Sequence, residues 1–100
     1  MKVRVIAGKW GGRFLTSPET STTHPMGERM RGALFNILGD LSNKRVLDPF
    51  AGSGALGIEA VSRGAREAVL IERDKRAQQA ILTSLRALDA DDSIRLIKAN

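Results

Sequence analysis

Hydrophobic positions change their spacing several times along the chain, and each change marks a different element. Lys2 to Ile6 alternates basic and apolar residues, Lys9-Trp10-Gly11-Gly12 is turn-like, and Arg13-Phe14-Leu15-Thr16 resumes an extended pattern before Ser17-Pro18, which predicts a β-hairpin. Glu19 to Pro25 is rich in Ser and Thr and closes with a proline, the composition of a linker. From Glu28 onward Met30, Ala33, Leu34, Ile37, Leu38 and Leu41 fall at helical spacing. They predict one apolar stripe of an amphipathic helix whose opposite face carries Arg29, Gly32 and Asn36.

The second part of the chain alternates strands with helices. Arg45 to Phe50 reads as a short strand that runs into Gly52-Ser53-Gly54-Ala55-Leu56-Gly57, and a helix follows to about Arg63, where Gly64 supplies a left-handed stop. Ala68 to Glu72 is a continuous apolar run ending in an acid, as expected of a parallel strand covered on both faces. Asp74 can cap a helix with the stripe Ala77, Ile81, Ser84, Leu85 and Leu88. An acidic loop from Asp89 to Asp92 leads to a third strand, Ser93 to Lys98. The expected fold is therefore α/β, the first half of a Rossmann-like, doubly wound parallel sheet behind a β-hairpin and an amphipathic helix. We divide it into a basic extension, 1–45, and a ligand-binding half, 46–100. One hundred residues are few for a complete sheet of this type, so the sequence reads as part of a larger unit.

Charge separates the same two regions. Through Arg45 eight basic residues face three acidic ones, whereas from Val46 onward eight face eight, so the whole excess of +5 precedes the glycine loop. A basic lobe beside a neutral ligand-binding lobe suits a polyanionic substrate, although a solvated basic face would show the same imbalance. With no cysteine and one histidine, disulfides, thiolate catalysis and histidine metal clusters are excluded, and no metal is expected. No apolar run reaches membrane-spanning length and the N-terminus has no signal-peptide core, so a cytoplasmic protein without a membrane partner is expected.

Gly52, Gly54 and Gly57 satisfy G-x-G-x-x-G, a pattern shared by dinucleotide and S-adenosylmethionine sites and compatible with a purely structural turn. No Lys followed by Ser or Thr completes a triphosphate loop. Asp48 ends the strand ahead of the glycines; a carboxylate there repels a pyrophosphate but attracts an ammonium or sulfonium group. Glu72 ends the next strand 20 residues past Gly52, where a carboxylate can accept hydrogen bonds from a ribose diol. The pair favours S-adenosylmethionine over a nicotinamide dinucleotide.

Ile6-Ala7-Gly8-Lys9-Trp10-Gly11-Gly12-Arg13, the run from His24 to Leu38, Val46 to Ala60, and Ser62-Arg63-Gly64-Ala65 together resemble the bacterial 16S ribosomal RNA guanine-N2 methyltransferases of the RsmD type. The resemblance covers essentially the whole chain. It implies S-adenosylmethionine as donor, the exocyclic amine of a guanine as acceptor, and 16S rRNA or a small-subunit assembly intermediate as partner of a monomeric enzyme. Carried over by position, Asp48, Phe50, Ala51, Gly52, Ser53, Gly54, Glu72 and Asn100 would bind the cofactor. Lys2, Arg4, Lys9, Trp10, Arg13, Arg29 and Arg31 would face RNA, with Trp10 stacking on a base or else stapling the hairpin to its own helix. His24-Pro25-Met26 stands where the family more often has Arg-Pro-Thr, and Gly32 where it has Glu.

The resemblance also implies an Asn/Asp-Pro-Pro-aromatic tetrapeptide after a fourth strand, which engages the target amine. The prolines here are Pro18, Pro25 and Pro49, no two adjacent, so no catalytic residue is assigned and these 100 residues alone are expected to be inactive. A catalytically silent RNA-binding module and an NAD-binding oxidoreductase fragment are the competing functional readings.

Overall fold

The computed structural model describes residues 3–18, 27–90 and 92–99. In chain order the elements are β1 (Val3–Arg4), β2 (Phe14–Leu15), α1 (Glu28–Leu38), β3 (Arg45–Asp48), α2 (Ala55–Ser62), β4 (Glu67–Glu72), α3 (Lys75–Ala87) and β5 (Ile94–Lys98). β1 and β2 pair antiparallel, and β3, β4 and β5 form a parallel sheet with β4 in the centre. The expected linker, Glu19 to Pro25, lies outside the described residues.

Local signals set the boundaries of the second half. The Asp74 side chain accepts a hydrogen bond from the Ala77 amide at 2.9 Å and so satisfies one of the orphan N–H groups that open α3. At the end of α2, Gly64 takes φ 113°, and the bonds Gly64 N to Val61 O and Ala65 N to Ala60 O turn the chain out of the helix.

Two expectations about burial are corrected. β4 is covered on one face only: Ala68 and Leu70 are fully buried, Val69 and Ile71 are half-buried, and their neighbours Leu47 and Ile97 are 64% and 40% exposed. The strand order explains this, because two successive right-handed crossovers advancing in one direction place α2 and α3 on the same side of the sheet. In α1 the apolar stripe faces outward, with Met30 at 65%, Ile37 at 82% and Leu38 at 52% exposure. Its buried positions are Arg31 and Phe35, and the half-buried Gly32 faces the Ile6 side chain. Periodicity shows that a helix is amphipathic; here a charge partner and a ring contact decide which face turns in.

That partner is Glu59, which sits fully buried on α2. Its carboxylate accepts hydrogen bonds from the Ile6 and Ala7 amides at 2.9 and 3.0 Å and from Arg63 Nε at 2.8 Å, and pairs with Arg31 Nε at 3.5 Å. Arg63 also lies over the Phe35 ring, 5.0 Å from its centroid. Nearby, Ser62 Oγ donates to Ala7 O and accepts from the Trp10 amide. Gly8, at φ 84°, lies so close that a Cβ there would stand 1.8 Å from the Ser62 carbonyl oxygen. Hairpin and α1 are thus fastened to α2, and Val3, Val5 and Leu15 join Ile58, Leu70 and Ile81 in one hydrophobic core.

Candidate functional site

The turn after β3 is built from its own backbone and held from β4. Gly52 and Gly54 adopt φ 58° and 81°, values open to glycine at little cost, and Gly54 N donates to Ala51 O at 2.7 Å. Ala51 N donates to Ile71 O at 3.1 Å, so the loop hangs on the end of the neighbouring strand. The three glycines do different work. A Cβ on Gly52 would meet nothing within 4 Å, which leaves that side open to a ligand, whereas one on Gly57 would stand 2.3 Å from Leu70 Cδ2. Gly57 therefore sets how closely α2 packs on the sheet.

The two acidic residues flank this turn. Glu72 Oε1 accepts from the Gly52 amide and Oε2 from the Asp74 amide, both at 2.8 Å, so the carboxylate fixes the first glycine directly. Each oxygen keeps a further lone-pair direction for another donor. Asp48 is half-buried, and burial raises its pKa above the ordinary aspartate value. The Phe50 amide, 3.2 Å from Oδ1, opposes the shift, while the nearby Glu72 charge adds to it. An incoming cation would relieve a carboxylate held in this way. Pro49, Phe50, Glu72, Arg73 and Ala99 line a cleft of about 250 Å³ beside the loop, with Phe50 projecting from it at 89% exposure. Ala51 and Ser53 turn their side chains inward and offer a ligand only backbone. Asn100 lies outside the described residues.

These features fit the methyl donor inferred from the sequence: an open glycine edge, a half-buried anion at the strand end, and a second carboxylate with unused acceptor capacity. Sequence reasoning missed Pro49, Arg73 and Ala99 in the cleft lining. It also missed Glu59, although a lone acid in the otherwise apolar Ala55–Val61 was a readable signal.

The residues expected to face RNA are distributed unevenly. Lys9, Arg13 and Arg29 are exposed; Lys9 Nζ sits 4.5 Å above the Trp10 ring centroid, and Arg13 Nη2 donates to Ala87 O at 2.8 Å. Arg4 is exposed but spent on a two-pronged pair with Glu28, at 2.9 and 3.0 Å, which holds the Glu28 carboxyl below its usual pKa. Two assignments are corrected. Arg31 is 1% exposed, with its charge taken by Glu59 and an Nη2 bond to Arg4 O, and Trp10 is 8% exposed, so neither can reach a phosphate or a base in this arrangement. Trp10 is the staple between the hairpin and α2. Lys2 lies outside the described residues. Among the described residues no group of three or more His, Cys, Asp or Glu could hold a metal ion, and no helix is long and apolar enough to cross a membrane.

Comparison with known proteins places these features in a wider set. Residues 3–100 match a family described as conserved hypothetical protein 95. The chain is 41% identical over 100 residues to ribosomal RNA small subunit methyltransferase D of Escherichia coli K12, a match covering 99% of this chain and 50% of that protein. Among solved structures, yhhF from Escherichia coli, assigned as a methyltransferase, superimposes with a TM-score of 0.84 at 40% identity over 100% of this chain and 54% of its own. A hypothetical protein of Thermus thermophilus does so with a TM-score of 0.80 at 38% identity, over 97% and 55%. The chain spans about half the length of the relatives it matches. The shared architecture is the Rossmann-like half of a class I methyltransferase fold.

Proposed function

The chain belongs to the conserved hypothetical protein 95 family, the RsmD family, and on that premise we propose that it forms the S-adenosylmethionine-binding half of a methyltransferase acting on 16S rRNA. The acceptor is the exocyclic N2 amine of a guanine. The observation that carries this reading is the placement of Asp48 and Glu72 on either side of the glycine turn, with Glu72 bonded to the Gly52 amide. On this reading the half-buried Asp48 receives the cationic methionine end of the donor, the open edge of Gly52 admits its backbone-contacting part, and Glu72 accepts from the ribose hydroxyls. Phe50 and Arg73 border the same cleft. Bound S-adenosylmethionine supplies an electrophilic methyl group; these residues hold and orient it. Similarity to a ribosomal RNA methyltransferase supports a cytoplasmic location.

The 100 residues contain no Asn/Asp-Pro-Pro-aromatic tetrapeptide to engage the target amine, so on this reading they bind donor without transferring its methyl group. Calorimetric titration tests the cofactor assignment. S-adenosylmethionine should bind at one site per chain and an excess of NAD should not displace it. Binding of NAD in its place would overturn the assignment. Methyl transfer to 16S rRNA by these 100 residues unaided would overturn the division of labour.

A further inference from the structure

A second concavity, with a volume of about 630 Å³, runs between the exit of β2 and the first turns of α3. Its floor is the buried pair Pro18 and Ala80, and its rim carries the hydroxyls of Thr16 and Ser17 opposite the exposed cations Lys75 and Arg76. The walls come from both halves of the chain and are pinned together. The Thr16 amide donates to Ser84 Oγ and Arg13 Nη2 to Ala87 O, both at 2.8 Å.

We propose that this groove binds the sugar–phosphate backbone of the RNA strand that carries the target base, an inference that rests on the rRNA-modifying reading above. In the sequence Lys75 and Arg76 look balanced by Glu72 and Asp74, but in the structure neither carboxylate lines the groove, and each is turned to backbone amides instead of to these cations. The Glu72 oxygens accept from the Gly52 and Asp74 amides, and Asp74 Oδ2 accepts from the Ala77 amide. Among the described residues, the ion pairs join Arg4 with Glu28, Arg31 and Arg63 with Glu59, and Arg45 with Glu67, and none involves Lys75 or Arg76. The groove thus keeps cationic charge, whereas Arg4 and Arg31 of the basic extension are neutralised. Phosphate contacts of this kind position a strand without reading its sequence. Lys75 stands three residues past Glu72, so a strand held in the groove is delivered to the edge of the donor cleft.

The test compares the protein with a Lys75→Ala/Arg76→Ala variant and with a control of equal charge loss, Arg66→Ala/Arg95→Ala, whose exposed residues belong neither to the groove nor to the basic extension. A fluorescein-labelled, guanine-containing oligoribonucleotide is titrated by anisotropy across a series of KCl concentrations, and S-adenosylmethionine affinity is measured in parallel by calorimetry. Each lost contact to a single strand should reduce the slope of log K against log salt by about 0.7, so the groove variant should lose about 1.4 while the control and the donor affinity stay unchanged. An unchanged slope in the groove variant, an equal loss in the control, or no RNA binding by the unmodified protein would each overturn the proposal. Loss of slope as expected in a protein that binds no S-adenosylmethionine would leave the groove standing and defeat the donor assignment instead.

Discussion

Replacing Glu59 with Ala should be among the most damaging single changes in the chain. Glu59 is fully buried, and its removal strands Arg31, itself 1% exposed, without a carboxylate. Removing one partner of a buried ion pair costs about 3–5 kcal/mol. The Ile6 and Ala7 amides lose their acceptors as well, at about 1–3 kcal/mol each if no water replaces the carboxylate. Arg63 adds least, since its side chain is 19% exposed and can turn to solvent. These terms overlap, and a net loss of about 4 kcal/mol or more is expected, a large share of the roughly 5–15 kcal/mol that holds a domain folded. Urea denaturation followed by circular dichroism measures it, with the midpoint falling sharply. The double variant Arg31→Met/Glu59→Ala separates charge from packing. Removing the stranded guanidinium should restore part of the loss, because a buried pair replaced by apolar groups is often near neutral. A loss below about 1 kcal/mol in Glu59→Ala, or a double variant no better than the single, would refute this account of the joint.

Three further outcomes are expected. Burial places the folded-state pKa of Asp48 above its unfolded value, so the native state takes up the proton more readily, and ionising Asp48 removes stability as pH rises from the ordinary aspartate range through the raised value. Asp48→Asn should therefore melt no lower than the parent at neutral pH, while S-adenosylmethionine binds about tenfold or more weaker for want of a charged hydrogen bond; a lower melting temperature with unchanged affinity would contradict both. Glu72→Gln leaves an amide NH2 facing one of two N–H donors, so hydrogen exchange at Gly52 or Asp74 should quicken and donor affinity fall, and unaltered exchange would show that the carboxylate does not hold the loop. Gly8→Ala forces a Cβ against the Ser62 backbone at φ 84°; an unfavourable left-handed conformation and an overpacked contact together should cost about 2–5 kcal/mol in thermal unfolding, and an unchanged melting temperature would refute the close approach.

What was legible in the sequence was local. The capping role of Asp74, the left-handed stop at Gly64, the glycine turn and the order of strands and helices all depend on neighbours a few residues apart. What escaped depends on partners far along the chain. Glu59 meets Ile6 and Ala7 across more than fifty residues, and that meeting buries Arg31 and turns the apolar stripe of α1 outward. Trp10 is held at the same junction, through Ser62, which is the stapling alternative that the sequence had left open. In the candidate site Asp48 and Glu72 were readable by position, but the bond from Glu72 to the Gly52 amide follows from the parallel register of β3 and β4. Composition suggested coverage of β4 on both sides, and only the succession of strands reveals that its helices share one face.

That one-sided sheet has a calorimetric consequence. Apolar area already in contact with water, such as Leu47 and Ile97 on the sheet and Met30 and Ile37 on α1, gives no increment to heat capacity when the chain unfolds. A 100-residue domain ordinarily shows a change of about 1.2–1.5 kcal/mol/K. This chain should fall below that range, and its stability curve should be flatter, with less curvature on either side of its maximum.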